Sequence, residues 1–337
     1  VLPALEKAAR FHLHFTYPNG HRVETIDERN PYHERVDTGN VGFTFTPEGR
    51  AYLKNQWSIY GMDKLSADLI ASLLLYGEEG KTTEQVSAQE EDCFVLTENG
   101  KRYAATIRRG PWFVCLSAYT APIPKSRWIQ DRQNFVSIYH EKTGVILGGG
   151  NTKLQPAWSN FTVGNTDLLQ HTPGDTAPDF LPKGELYHVP SKAELIGNPV
   201  SGIEFVYGPE RCEIGIDIKD DDTLEYSVKS TNESDLPVAA HLTLIPHLGE
   251  TLETGEERET TLDETPLNWI GDELSKELLH DGYRLGLPRA ASLHWPALRH
   301  NPYRKDGRST AEEARIEIRI PMTDAATDHT ITVQVVD

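Results

Sequence analysis

Cysteine is scarce in this chain, with three in 337 residues (Cys93, Cys115 and Cys212). An odd trio builds no disulfide framework, and none of the three has the CxxC spacing of a zinc site. Each sits in a strand-like run (DCFVL, WFVCL, RCEIGI), so all three are expected as buried thiols. Positive charge is short as well: 33 Lys and Arg face 51 Asp and Glu, a formal net charge of −18. That balance excludes a nucleic-acid partner, which wants a basic face. It also removes any general field that would steer a polyanion, so an acidic ligand has to be held by a local cluster of Arg, Lys and His. No run reaches the roughly 18 to 20 apolar residues that span a membrane, and no signal-peptide pattern is present. With 38% hydrophobic and 25% charged residues, the composition is that of a soluble globular protein. The chain opens at Val1 directly in a helical pattern and is expected to be a piece of a longer protein.

What is present divides in two. Residues 1–79 read as helical. Leu2, Leu5, Ala9, His12 and Leu13 recur at three- and four-residue intervals. Thr46-Pro47 is an N-cap and first-turn signature for a second helix that closes at Gly61. A third is expected from Asp63 to Gly77, with Leu65, Leu69, Ile70, Leu73 and Leu74 on one face. The polar stretch 16–45 is longer than most loops between helices, and loops of that size often carry function. From residue 80 to 337 the pattern changes to short alternating or β-branched runs divided by Gly, Pro, Asn and Asp. ENGK and EKTG read as hairpin turns. Many strands without intervening helical periods predict large stacked antiparallel sheets. The fold class is therefore α+β: a short helical segment, then a large antiparallel β-sandwich.

The stretches YPNGHRVETIDERNPYH (Tyr17–His33), TPEGR (Thr46–Arg50), ADLIASLLLYGEEG (Ala67–Gly80) and RQNFVSIYHEKTGVILGGGNTK (Arg132–Lys153) carry a resemblance. Taken with the helix-then-sheet order, the chain resembles the heparinase II/III-like and alginate-lyase-like polysaccharide lyases. The resemblance implies the end of an (α/α) toroid joined to a β-supersandwich. It further implies a uronate-containing polysaccharide as substrate and a periplasmic or extracellular setting. A further helical portion, or another chain, would supply the rest of the toroid. The same architecture also hosts glycoside hydrolases.

Four constellations carry possible chemistry. In Arg29-Asn30-Pro31-Tyr32-His33, Arg29 and Asn30 suit neutralisation of a uronate carboxylate. Tyr32 and His33 suit the proton transfers of β-elimination. The competing reading is a loop whose Tyr packs inward and whose Arg pairs with Asp27 or Glu28. Around Asn134–His140, strand alternation sends Asn134, Val136, Ile138 and His140 one way and Phe135 and Tyr139 the other. His140, near the turn, is the catalytic candidate there and Asn134 the substrate-binding one. Gly148 to Lys153 lacks the strand, G-x-x-x-x-G-K-[ST] and helix order of a phosphate loop. Its glycines let the chain bend tightly or approach a sugar closely, and Trp158 beyond them is either a pyranose-stacking platform or a core residue. The stretch His294–Gly307 is the most basic in the chain, with Arg304 a candidate carboxylate clamp or a plain surface residue.

Alternatives from other classes stay open. Asp27, Glu28, Glu34 and Asp37 leave room for a hydrolase using paired carboxylates. A non-catalytic carbohydrate-binding module would bind without turnover. No cofactor is expected. The metal alternative is a zinc or calcium ion, with His241 and His247 as candidate zinc ligands on one strand face, but neither HExxH nor CxxC accompanies them.

Overall fold

A computed structural model describes residues 1–26, 37–83, 91–128, 131–148, 150, 152–255, 258–274 and 276–336. Helix α1 (Leu2–His14) takes Pro3 in its first turn, where a missing N–H costs nothing. In α2 (Pro47–Tyr60), the Thr46 side chain accepts a hydrogen bond from Gly49 N at 3.0 Å, and Gly61 ends the helix at a φ of 79°. Helix α3 (Ala67–Tyr76) starts later than the sequence pattern predicts. Ser66 caps it, and Met62–Lys64 is a separate 3₁₀ turn. Helices α1 and α2 share a small core of Ala9, Phe43, Tyr52 and Leu53. Of the expected apolar face of α3, Leu65 and Leu69 are buried, whereas Ile70 and Leu74 are 42% and 82% exposed.

The strands alternate between two sheets along the chain. First come β1 (Glu91–Glu98), β2 (Lys101–Arg109), β3 (Trp112–Ser117), β4 (Val136–His140), β5 (Gly144–Leu147), β6 (Phe161–Gly164) and β7 (Leu186–Tyr187), all in the larger sheet. The second sheet takes β8 (Lys192–Gly197), β9 (Val200–Tyr207), β10 (Glu210–Ile218) and β11 (Thr223–Ser230). The chain returns to the larger sheet with β12 (Val238–Leu244), then gives the second β13 (Thr251–Thr254) and β14 (Glu259–Thr261). Next, β15 (Leu267–Ile270) joins the larger sheet, and β16 (Glu277–His280) and β17 (Tyr283–Gly286) join the second. Finally β18 (Ser292–Ala297) and β19 (Arg315–Met322) enter the larger sheet, and β20 (Asp328–Val335) the second. The pairings are antiparallel, as in β12 with β19 and β10 with β11. The β1–β2 turn is the expected ENGK hairpin, with Asn99 and Gly100 both at positive φ.

The two sheets bury one continuous core between them. In β10, burial alternates along the strand: Cys212, Ile214, Ile216 and Ile218 point inward, so this sheet shows its other face to water. The larger sheet differs. Strands β3, β4 and β12 are buried at every position, so its second face is covered too. Over β1 to β4 the cover is the helical segment, through Phe15, Tyr17, Val23 and Ile26 against Ala104, Phe113, Cys115 and Tyr139. Each fully buried large side chain in that seam contributes roughly 1.5–3 kcal/mol relative to exposure. Among the cysteines, Cys115 and Cys212 are buried, but Cys93 is exposed, because β1 is an edge strand.

Candidate functional site

Beyond the helical segment, the outer face of the larger sheet is polar by strand arithmetic. Along β19, Ile316, Ile318 and Ile320 enter the core, so Arg315, Glu317 and Arg319 take the opposite face. Register then sets His241 beside Arg319, and Thr243 and His294 beside Glu317; Asn268 lies beside His294. Of these side chains, His241, Glu317, Arg319, His294 and Asn268 floor a groove of about 500 Å³. Its walls are Leu154–Ala157 and residues between Thr166 and Pro173.

The floor of the groove is held rigidly. Buried polar atoms left unpaired cost about 1–3 kcal/mol each, and here they are paired. His241 Nδ1 lies 2.7 Å from Glu317 Oε1, and its Nε2 lies 2.8 Å from the Thr162 hydroxyl. Nδ1–H donates to the carboxylate, and Nε2 shares the second bond with the hydroxyl. Asn134 donates to Thr243 Oγ1 at 2.9 Å, locking the adjacent part of the face. Around the groove, Arg319, His294, Asn268 and Gln170 are exposed, and Ser292, Gln155 and His171 are half-buried. Among the described residues the lining holds no Phe, Tyr or Trp and one carboxylate, Glu317.

Behind the wall lies a second ionic group. Lys153 Nζ donates to Asp131 Oδ1 at 2.7 Å and to Pro124 O at 3.1 Å, while His188 Nε2 is 3.3 Å from Asp131 Oδ2. All three side chains are buried. The wall residue His171 stands edge-on to His300, ring centroids 5.9 Å apart. Burial, with the nearby positive charges of His171, Arg127 and Lys153, pulls His300 down to about 4. It is therefore neutral at ordinary pH.

The candidates read from sequence fall in different places. Arg29, Asn30, Tyr32 and His33 lie outside the described residues. His140 points between the sheets rather than into the groove. Its Nε2–H donates to Asp221 O at 3.0 Å, its Nδ1 accepts from Lys142 N at 3.1 Å, and its ring stands against Trp112. Phe135, expected on the opposite face, also enters the core, because the regular strand begins only at Val136. Asn134 is buried beside the groove floor. Trp158 is fully buried; its Nε1 donates to Ala297 O at 3.0 Å, and the Arg315 guanidinium lies 4.6 Å over its ring. Arg304 is exposed on the Asn301–Gly307 turn, and its carbonyl accepts from Arg127. The structure does join the glycine-rich stretch to the basic one: Lys153 bridges His300, and Gln155 Nε2 donates to Leu298 O at 2.8 Å. His241 and His247 do not converge, since His247 pairs with Asp281 and packs on His280. Sequence reasoning passed over Glu317, Arg319, Asn268, Ser292 and His171. The signal for the first two was present in RIEIRI, whose alternation puts charge on one face of a central strand.

No protein-family model and no curated protein matches the sequence. Among solved structures, the 4-alpha-glucanotransferase of Thermococcus litoralis is 12% identical, with a TM-score of 0.35 over 100% of this chain and 48% of that one. A mutant of the heparan sulfate lyase HepC from Pedobacter heparinus is 10% identical, with a TM-score of 0.37 over 100% of this chain and 55% of that one. The chain thus spans about half the length of either. Superpositions this loose assign no family.

Proposed function

We propose that this chain is the C-terminal part of a polysaccharide-degrading enzyme, and that the groove seats a sugar chain bearing carboxylates. The observation that carries the reading is Arg319, exposed on the groove floor among Ser292, His294 and Asn268. A guanidinium binds a carboxylate through two parallel hydrogen bonds, and the surrounding hydroxyl, amide and imidazole groups match a ligand rich in hydroxyls. In a chain of net charge −18 this is the local cationic spot that an acidic sugar requires.

The reaction assigned is β-elimination at a uronate. Neutralising the carboxylate acidifies the C5 proton. A base removes that proton, the C4–C5 double bond forms, and the glycosidic oxygen leaves with a proton from an acid. Tyr32 and His33 are the proposed proton carriers, with Arg29 and Asn30 as further carboxylate partners. The scheme runs on side chains and calls for no cofactor, and a periplasmic or extracellular setting fits such a substrate. Hydrolysis would use two carboxylates roughly 5 to 10 Å apart, and the second would have to come from Asp27, Glu28, Glu34 or Asp37. Among the described residues the lining offers Glu317 alone, tied to His241.

Incubation with a polyuronate tests the reading through the ultraviolet absorbance of the unsaturated product. Tyr32→Phe is expected to abolish that product while leaving binding intact. Full activity in this variant removes Tyr32 from the mechanism. A saturated, reducing product would move the assignment to a hydrolase, and binding without turnover would leave a carbohydrate-binding module.

A further inference from the structure

We propose that Tyr17 and Glu24 form a proton-operated clasp fastening the helical segment to the larger sheet. The inference stands apart from any reading of the groove. After α1 the chain turns back on itself: Tyr17 N donates to His21 O and Gly20 N to Tyr17 O, both at 2.8 Å, and Thr16 bridges Arg22. The turn presses Tyr17 and Glu24 onto the sheet. The Tyr17 ring stacks on Tyr139 at 5.0 Å and meets Phe113 edge-on at 5.3 Å. Its hydroxyl donates to Glu24 Oε2 at 2.7 Å, and the hydroxyls of Thr25 and Ser137 share a hydrogen bond at 3.0 Å.

Glu24 is 1% exposed, and its other oxygen, Oε1, is buried without a hydrogen-bond partner. That oxygen sits against Gly148, where a Cβ would lie only 2.3 Å away, so the carboxyl occupies room that only a glycine leaves. A buried carboxylate with a bare oxygen is far costlier than the neutral acid. The ionisable groups facing it are Tyr17 on its own segment, Cys115 of β3 and Arg315 of β19, with Tyr139 of β4 stacked on Tyr17. Burial dominates and raises Glu24 to about 7, against the opposing pull of the Tyr17 hydrogen bond, the backbone N–H of Glu24 itself and the Arg315 charge.

The sign follows from linkage. The seated carboxyl keeps its proton up to about pH 7, whereas a released one loses it near 4.5. The clasp is therefore strongest below 4.5, weakens by up to about tenfold per pH unit as pH rises toward 7, and levels off above. One group in the same seam works in the opposite direction. His14, stacked on Phe94 at 3.7 Å, is lowered to about 4 by burial and by Arg10, so its contribution is lost as pH falls from 6.5 toward 4. A comparison with Glu24→Gln cancels that opposing effect.

The test is hydrogen exchange of the amides in residues 15–26 of the whole chain, corrected for intrinsic exchange, in wild type and Glu24→Gln. Between pH 5 and 7 the protection of wild type relative to the variant is expected to fall by at least about tenfold. A ratio that stays constant across that window overturns the proposal. Should Glu24→Gln fail to fold, a ¹³C-glutamate NMR titration of wild type reads the same proton. A Glu24 midpoint near 7 supports the clasp, and one near 4.5 refutes it.

Discussion

Lys153 shows how far a single side chain departs from what its type predicts. Lysine is almost never fully buried unless paired, and this one is buried with its ammonium on Asp131 and the Pro124 carbonyl. Removing one partner of a buried pair strands the other charge, at a cost of about 3–5 kcal/mol. Lys153→Met is therefore expected to lose about that much stability in chemical denaturation, and Lys153→Met with Asp131→Leu to recover a large part of it. A single variant within 1 kcal/mol of wild type would show that Asp131 is not confined there. Cysteines divide as sharply. Cys93 is exposed, while burial lifts the Cys212 thiol to about 12 and the Cys115 thiol well above its usual range. A thiol reagent at neutral pH is expected to modify one cysteine per native chain and all three after denaturation. Two fast native sites would contradict the burial of Cys115 or Cys212. The strand run DCFVL identified Cys93's secondary structure but not its exposure, because edge position depends on pairing order rather than local sequence.

At the scale of elements, capping and turn chemistry was legible and packing partners were not. Thr46-Pro47 marked the start of α2, and ENGK the β1–β2 hairpin, because both depend on contacts within four residues. Thr46→Ala is expected to cost about 1 kcal/mol by freeing Gly49 N, measured as a drop in the unfolding midpoint. An unchanged midpoint would mean that the cap is replaced by solvent. The apolar positions of α3 predicted one apolar face, yet Leu69 is buried while Ile70 and Leu74 are 42% and 82% exposed. Periodicity reports that a helix has an apolar face, and nothing in it names the surface that covers that face. The groove shows the same limit. RIEIRI in β19 carries its alternation openly, but which face meets the second sheet emerges only once β12 and β18 flank it. Four of the residues offered for catalysis or binding from sequence lie at 29, 30, 32 and 33, outside the described residues. His140 and Trp158 lie in buried structural settings, for which strand alternation and an aromatic ring gave equal warrant.

Over the whole molecule, the two sheets divide their duties. The second turns one face to water, with the alternation that such a face requires. The larger has both faces occupied, by the shared core on one side and on the other by the helical segment and the polar groove. Among the described residues, this outer face of the larger sheet holds a polar groove, and Arg319 is an exposed cation on its floor. Calorimetric titration with a polyuronate oligosaccharide and with its carboxyl-reduced counterpart tests that assignment most directly. Wild type is expected to bind the carboxylated chain more tightly by about ten- to hundredfold, the loss that follows from removing hydrogen bonds to a charged group. In Arg319→Ala that preference is expected to vanish. Equal affinity of wild type for the two sugars, or a preference that survives in Arg319→Ala, would contradict it.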